Sequence, residues 1–201
     1  METILVYGDS NTWGQMAYGD RYPYEQRWTN ILQRKLGDRY DIIPSGICGR
    51  TAGTYDVSEK RHRGDDAFEY IYLTSYPYQS IVIALGTNDL KAQFDASAEQ
   101  IFEKLTWYTS EIDRLQRNDE KKFGKKSNPK VLYILPPNFD VVKSPDRDEE
   151  KRQQLIELFK KSDFNFIEVN SLEMSEDGVH FSALAHDELA EIVYDKLKEA
   201  V

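Results

Sequence analysis

At 201 residues, with 40% of them hydrophobic and 30% charged, the chain is long enough for one well-packed domain spanning residues 1–201, short for two, and too apolar to be disordered. A net charge of −9 and a mean hydropathy of −0.66 disfavour nucleic acid and membrane as partners, because polyphosphate and anionic lipid are repelled. The single Cys48 rules out an intramolecular disulfide, no Cys/His cluster has zinc-site spacing, and no cofactor is expected.

Glu2 and a five-residue apolar run before Gly8 differ from the basic and long apolar regions of a signal peptide, so a cytoplasmic location is expected. The basic clusters Lys60-Arg-His-Arg63 and Lys121-Lys122 with Lys125-Lys126 flank glycines and read as solvated loops.

Thr3 to Tyr7 has the apolarity and β-branching of a buried parallel strand, broken at Gly8, so Ser10 falls just past a strand's C-terminal end. Asp-Ser-Asn-Thr there reads either as turn and cap chemistry or as the seat of a nucleophile. Met16 to Tyr24 is a loop. Trp28, Ile31, Leu32 and Leu36 recur at helical spacing, and Gly37 stops that helix.

Tyr40 to Ile43 is a second strand closed by Pro44, followed by the Gly-rich loop Ser45 to Thr51. A helix over Asp65 to Tyr76 presents Phe68, Ile71 and Tyr72. Gln79 to Leu85 is a buried strand that runs into Gly86-Thr-Asn-Asp89. Ile101, Leu105, Tyr108, Ile112 and Leu115 mark a long amphipathic helix over Ser97 to Gln116, and Arg117 to Pro129 is a charged connection.

Lys130 to Leu135 is a fourth strand, stopped by Pro136-Pro137. Ser144-Pro145 fits a cap with proline in the first helical turn, opening a helix that buries Leu155, Ile156 and Phe159. Phe164 to Val169 is a fifth strand. Ser182 caps a last helix that buries Leu189, Ile192, Val193 and Leu197. Five βα repeats imply a three-layer α/β/α flavodoxin-like sandwich on a five-stranded parallel sheet.

In such a sheet the loops starting at Gly8, Gly46, Gly86 and Asn170 share one edge. The last carries Asp177-Gly-Val-His180, one turn apart, with Gly178 removing obstruction between carboxylate and imidazole. With Ser10 this supplies a nucleophile, a base and an orienting acid. His62, in a charged loop, and His186, within the last helix, read as structural.

Gly8-Asp-Ser10, Gly46-Ile-Cys-Gly49-Arg-Thr51, Gly86-Thr-Asn-Asp89 and Asp177-Gly-Val-His180 resemble the four blocks of the SGNH hydrolases, the GDSL esterase and lipase superfamily. Leu85 to Lys91 with Phe94, Lys130 to Pro137, and Asp177 to Phe181 are similar to its bacterial arylesterase and acyltransferase branch. That resemblance implies an SGNH hydrolase fold and a short-chain, acetyl-type serine esterase acting on esters of small alcohols, aryl alcohols or sugars. Acyl transfer and homo-oligomers also occur in that branch. By motif position Ser10 is the nucleophile, His180 the base and Asp177 its orienter. The oxyanion hole is the backbone N–H groups of Ser10 and Gly49 with the Asn88 amide.

Asn11 stands where many relatives have leucine or isoleucine, and Ser45 precedes a variable loop. Asp9 reads as structural, and Cys48 as packing. Arg50 and Asp89 read equally as a supporting network or as surface charges. Trp13, Tyr18, Tyr22 and Tyr24 line a pocket or pack on the first helix. Residues 11–24, 54–66 and 136–146 would set substrate choice. The competing functions are a non-catalytic carbohydrate- or ester-binding module and a nucleotide or flavin protein. The latter is disfavoured because no G-x-G-x-x-G or P-loop follows the first strand.

Overall fold

A computed structural model of the chain describes residues 1–123 and 127–199. Five strands, β1 (Glu2–Gly8), β2 (Tyr40–Gly46), β3 (Ser80–Ala84), β4 (Lys130–Ile134) and β5 (Phe166–Ile167), form an all-parallel sheet in the order β2-β1-β3-β4-β5. Between and after them run α1 (Ser10–Trp13), α2 (Trp28–Leu36), α3 (Gly64–Ser75), α4 (Ala98–Phe123), α5 (Glu149–Lys160) and α6 (Ala183–Glu199).

The strand pleat divides the core in two. Ile4 and Val6 of β1 pack with Trp28, Ile31 and Leu32 of α2 and Leu189, Val193 and Leu197 of α6. Leu5 and Tyr7 point the other way, to Phe68 and Tyr72 of α3, Leu105 and Tyr108 of α4, and Leu155, Ile156 and Phe159 of α5. Each large aliphatic side chain buried this way contributes roughly 1.5–3 kcal/mol. The result is the α/β/α sandwich expected, with the flavodoxin-like strand order. Its switch point lies between β1 and β3, where ligands bind in open sheets of this kind.

Several boundaries, and one buried position, differ from the sequence reading. Strand β2 runs through Pro44 because β2 is an edge strand. The Ile42 N–H points away from β1, to Gln33 Oε1 at 2.7 Å, and Pro44 has the same parity, so its missing N–H removes no ladder bond. Helix α4 opens where expected, with a reciprocal cap between Ser97 and Gln100, but continues to Phe123 into the charged connection. Lys125 and Lys126 lie outside the described residues.

Ser144-Pro145 opens no helix. Asp148 caps α5 by accepting the Lys151 N–H at 2.9 Å, and Glu149 and Glu150 complete a first turn suited to the helix dipole. On α6, Ile192 is 39% exposed, so the buried stripe is Ala185, Leu189, Val193 and Leu197.

Candidate active site

At the end of β1, Asp9 turns the chain by accepting the Asn11 N–H at 3.0 Å. The capping role suggested for this segment thus falls on Asp9, with burial pushing its carboxyl up. The Asn11 N–H, the His180 charge and Thr87 pull it back only in part. Ser10 becomes the first residue of α1, at the C-terminal edge of the central sheet.

The loop before α6 supplies the imidazole. Asp177 Oδ1 accepts the N–H groups of Val179 and His180, each at 3.0 Å, while Oδ2 lies 2.5 Å from His180 Nδ1. His180 Nε2 then stands 3.0 Å from Ser10 Oγ. A carboxylate only accepts, so the proton on Nδ1 is fixed toward Asp177 and the Nε2 lone pair faces the hydroxyl. Burial raises the Asp177 carboxyl, but hydrogen bonds from the His180 ring and the two backbone N–H groups outweigh it and hold it below the ordinary value.

Gly178 also makes room for another segment. Its φ is +75°, and a Cβ there would come within 2.7 Å of Asp140 Cβ, so the glycine admits the 136–147 segment against this turn.

A residue the sequence reading missed ties the two halves together. Asn11 Oδ1 accepts the Phe181 N–H at 3.0 Å, and its Nδ2 donates to Val179 O at 3.3 Å, bracketing His180 on both sides. Its sole trace in the sequence is a polar residue at the position where many of the resembling proteins carry leucine or isoleucine.

The second and third loops meet across the front of β1. Gly8 O accepts the Ile47 N–H at 3.2 Å and Arg50 Nη1 at 3.0 Å; the latter also donates to Ser45 O at 2.5 Å. The Arg50 guanidinium lies 4.1 Å from the Tyr7 ring centre. Asn88 Nδ2 donates to Arg50 O at 3.1 Å, which brings the Asn88 amide against the loop that carries Gly49. A Cβ on Gly46 would sit 2.2 Å from Trp13 N, so this loop and α1 touch backbone to backbone.

Asp89 accepts the Ala52 N–H at 2.9 and 3.0 Å and the Tyr55 hydroxyl at 2.7 Å. Burial pushes its carboxyl up to about 6, against the pull of those hydrogen bonds. Arg50 and Asp89 are both fully buried, which decides between the two readings left open for them: they form an internal network.

The sequence model of the GDSL-like Lipase/Acylhydrolase family matches residues 6–188. The chain belongs to that family. Among solved structures, Est24, a carbohydrate acetylesterase from Sinorhizobium meliloti, is similar with a TM-score of 0.85 at 27% identity, over 100% of both chains. The aryl esterase of M. smegmatis gives 0.83 at 24% identity, also over 100% of both chains, and at that identity speaks for the fold. A stretch of 88 residues is 31% identical to the Bacillus subtilis (strain 168) lipoprotein YqeF; it covers 44% of this chain and 32% of that protein, about a third of the relative's length. The family and its esterase neighbours make the chain a carboxylic ester hydrolase with the SGNH fold.

In this GDSL-family chain Cys48 is half-buried, and burial with the nearby Asp9 charge pushes its thiol up, away from the thiolate a nucleophile needs. The aromatic group divides. Tyr22 is buried, donates to Phe181 O at 3.2 Å and packs edge-on against His186, so it supports the histidine loop from below. Tyr18 and Tyr24 are exposed, and Trp13 lies under the Arg21 guanidinium. His186 is fully buried, and burial pushes its pKa down to about 4, in keeping with the structural reading. Among the described residues no helix is long and apolar enough to cross a membrane.

Proposed function

We propose that residues 1–201 form one catalytic unit, a metal-independent serine esterase that removes short acyl groups, acetyl above all, from aryl alcohols, small alcohols or sugars. The observation that carries this is the chain of contacts from Ser10 Oγ to His180 Nε2 at 3.0 Å and from His180 Nδ1 to Asp177 Oδ2 at 2.5 Å. The carbohydrate acetylesterase among its structural neighbours points to the same acyl size.

In this mechanism Ser10 Oγ attacks the ester carbonyl as its proton passes to His180 Nε2. Asp177 keeps the imidazole in the right tautomer and stabilises its charged form. The carbonyl oxygen, now an anion, is held by the N–H groups of Ser10 and Gly49 and by Asn88 Nδ2. Asn88 exchanges its bond to Arg50 O for the stronger one to the oxyanion. The tetrahedral adduct collapses, His180 returns the proton to the departing alcohol, and an acyl group remains on Ser10. Water attacks it with His180 again as base, giving the acid; a second alcohol in its place gives acyl transfer.

The test is the initial rate on p-nitrophenyl esters from acetyl to octanoyl, for wild type and Ser10→Ala together. The rate should fall steeply with chain length and vanish in the variant. Full activity in Ser10→Ala, or no adduct at Ser10 from a serine-directed phosphonate in the folded protein, would reject the assignment.

A further inference from the structure

We propose that Lys91 and Arg147 form an anion-accepting subsite in the wall between the Asn88 loop and the His180 loop, and that the preferred ester carries an anionic group on its acyl or alcohol part. This inference rests on the esterase reading of Ser10.

Placement comes from the backbone. Residues 136–147 link β4 to α5 and are tied on both sides. Toward Asn88, the Ala92 N–H donates to Asp146 O at 2.8 Å, and Lys91 pairs with Arg147 in an isolated antiparallel bridge. Toward His180, the Asp140 N–H donates to Gly178 O at 2.8 Å and Ser144 Oγ donates to Asp177 O at 3.0 Å. The segment therefore spans from the proposed oxyanion donor to the proposed base, beside the place where the ester must sit. Lys91 follows Asn88 by three residues, and Arg147 is its partner across the bridge.

Charge then selects the ligand. The Arg147 side chain is only 10% exposed; Nη1 bonds Asp146 Oδ1 at 2.8 Å, while Nε is buried without a partner among the described residues. Lys91 is half-buried and has no ion pair among the described residues. Its ammonium is pushed down first by burial and then by the charge of Arg147. Two cations on bridge-paired residues, within electrostatic reach of each other and partly dehydrated, with one side-chain donor unpaired, cost free energy that an anion beside them would offset.

His62 lies within electrostatic reach of Lys91, and its Nε2 is only 3.0 Å from where a Cβ on Gly49 would stand. Lys91 feels the exposed Asp146, already bonded to Arg147, before the buried Asp9 and Asp89, and the rival role is counter-charge for the latter two. Those carboxylates already accept hydrogen bonds from Asn11, Ala52 and Tyr55, whereas Lys91 has no ion pair among the described residues.

Two matched pairs of esters decide the matter. Mono-p-nitrophenyl succinate against p-nitrophenyl butyrate places the anion on the acyl part, and 4-acetoxybenzoate against its methyl ester places it on the alcohol. At low ionic strength wild type should favour the anionic member of one pair at least tenfold in kcat/KM, and added salt should shrink the preference. Lys91→Met and Arg147→Gln should each cut that ratio about tenfold, and Arg147→Lys should keep most of it. A wild-type preference below threefold in both pairs, with the neutral esters still hydrolysed, overturns the subsite alone. Variants that slow both members together and leave the ratio unchanged also overturn it, in favour of the counter-charge role. No turnover of any ester overturns the esterase reading and the subsite with it.

Discussion

His180 and Asp177 are three residues apart and meet through one turn, whereas Asn88 reaches Arg50 O across 38 residues and Asp89 reaches Ala52 across 37. The proposed proton relay is thus largely a local structure with one long bond, the 3.0 Å contact from His180 to Ser10. The proposed oxyanion cradle is the reverse: its donors are placed by buried Arg50, which ties the second loop to the end of β1, and buried Asp89, which ties the third loop to the second. On the relay side, chemistry and folding are carried by different atoms. On the cradle side the same atoms carry both, so substitutions there should move activity and stability together.

The relay offers the sharpest break. Asp177→Asn keeps the shape but turns an acceptor into a donor and favours the wrong imidazole tautomer, so kcat should fall by about 10⁴. The melting temperature should move by a few degrees at most, because the Asp177 side chain is 25% exposed. A loss under tenfold would mean the carboxylate does not orient the ring.

Asn88→Ala comes next, with kcat lower by roughly 10²–10³ through the loss of one oxyanion donor. Because the same amide satisfies the buried Arg50 O, unfolding in urea should also become easier by about 1 kcal/mol. A kcat effect with no stability change would place Asn88 on the relay side of the comparison.

Asp89 tests the cradle through pH. Its folded pKa of about 6 lies above the ordinary 3.8, so the folded protein holds that proton more tightly. The stabilisation this gives is complete below about 3.8 and is lost as pH rises through about 6, a change of roughly 3 kcal/mol. Between pH 4 and 7 the unfolding free energy of wild type relative to Asp89→Asn should therefore fall by most of that, roughly 2 kcal/mol. Asp9, also raised, is present in both proteins, and its charge is one of the causes that raise Asp89. A difference that stays flat with pH would mean Asp89 is not buried as a charge.

What the sequence displayed follows the same division. The strands, the amphipathic helices, the Ser182 cap and the Asp177-to-His180 turn were legible because each is a pattern of neighbours. Arg50 and Asp89 were ambiguous because their side-chain hydrogen-bond partners other than Ser45 O lie 34 to 42 residues away, and a charged residue in a polar loop looks alike whether buried or exposed. The misplaced start of α5 has another cause: Ser144-Pro145 and Asp148 with two following glutamates are both good helix openings. Ser144 was already engaged with Asp177 O, a contact across 33 residues that no local pattern displays.

Asn11 belongs to both halves, and its effect should be the smallest. It adjoins Ser10 in the chain, yet its side chain holds Phe181 N–H and Val179 O, 170 and 168 residues away, on either side of His180. Asn11→Leu would leave the Phe181 N–H unpaired in a buried position, at a cost of about 1–3 kcal/mol in stability. The loop should then relax by a fraction of an ångström, lengthening the contact from His180 Nε2 to Ser10 Oγ, and kcat should drop about tenfold while KM stays near its wild-type value. Phosphonate labelling of Ser10 should slow by a similar factor, since that reaction uses the same base. If only the melting temperature changes, the loop keeps its position without Asn11, and the relay is as self-contained as its short spacing suggests.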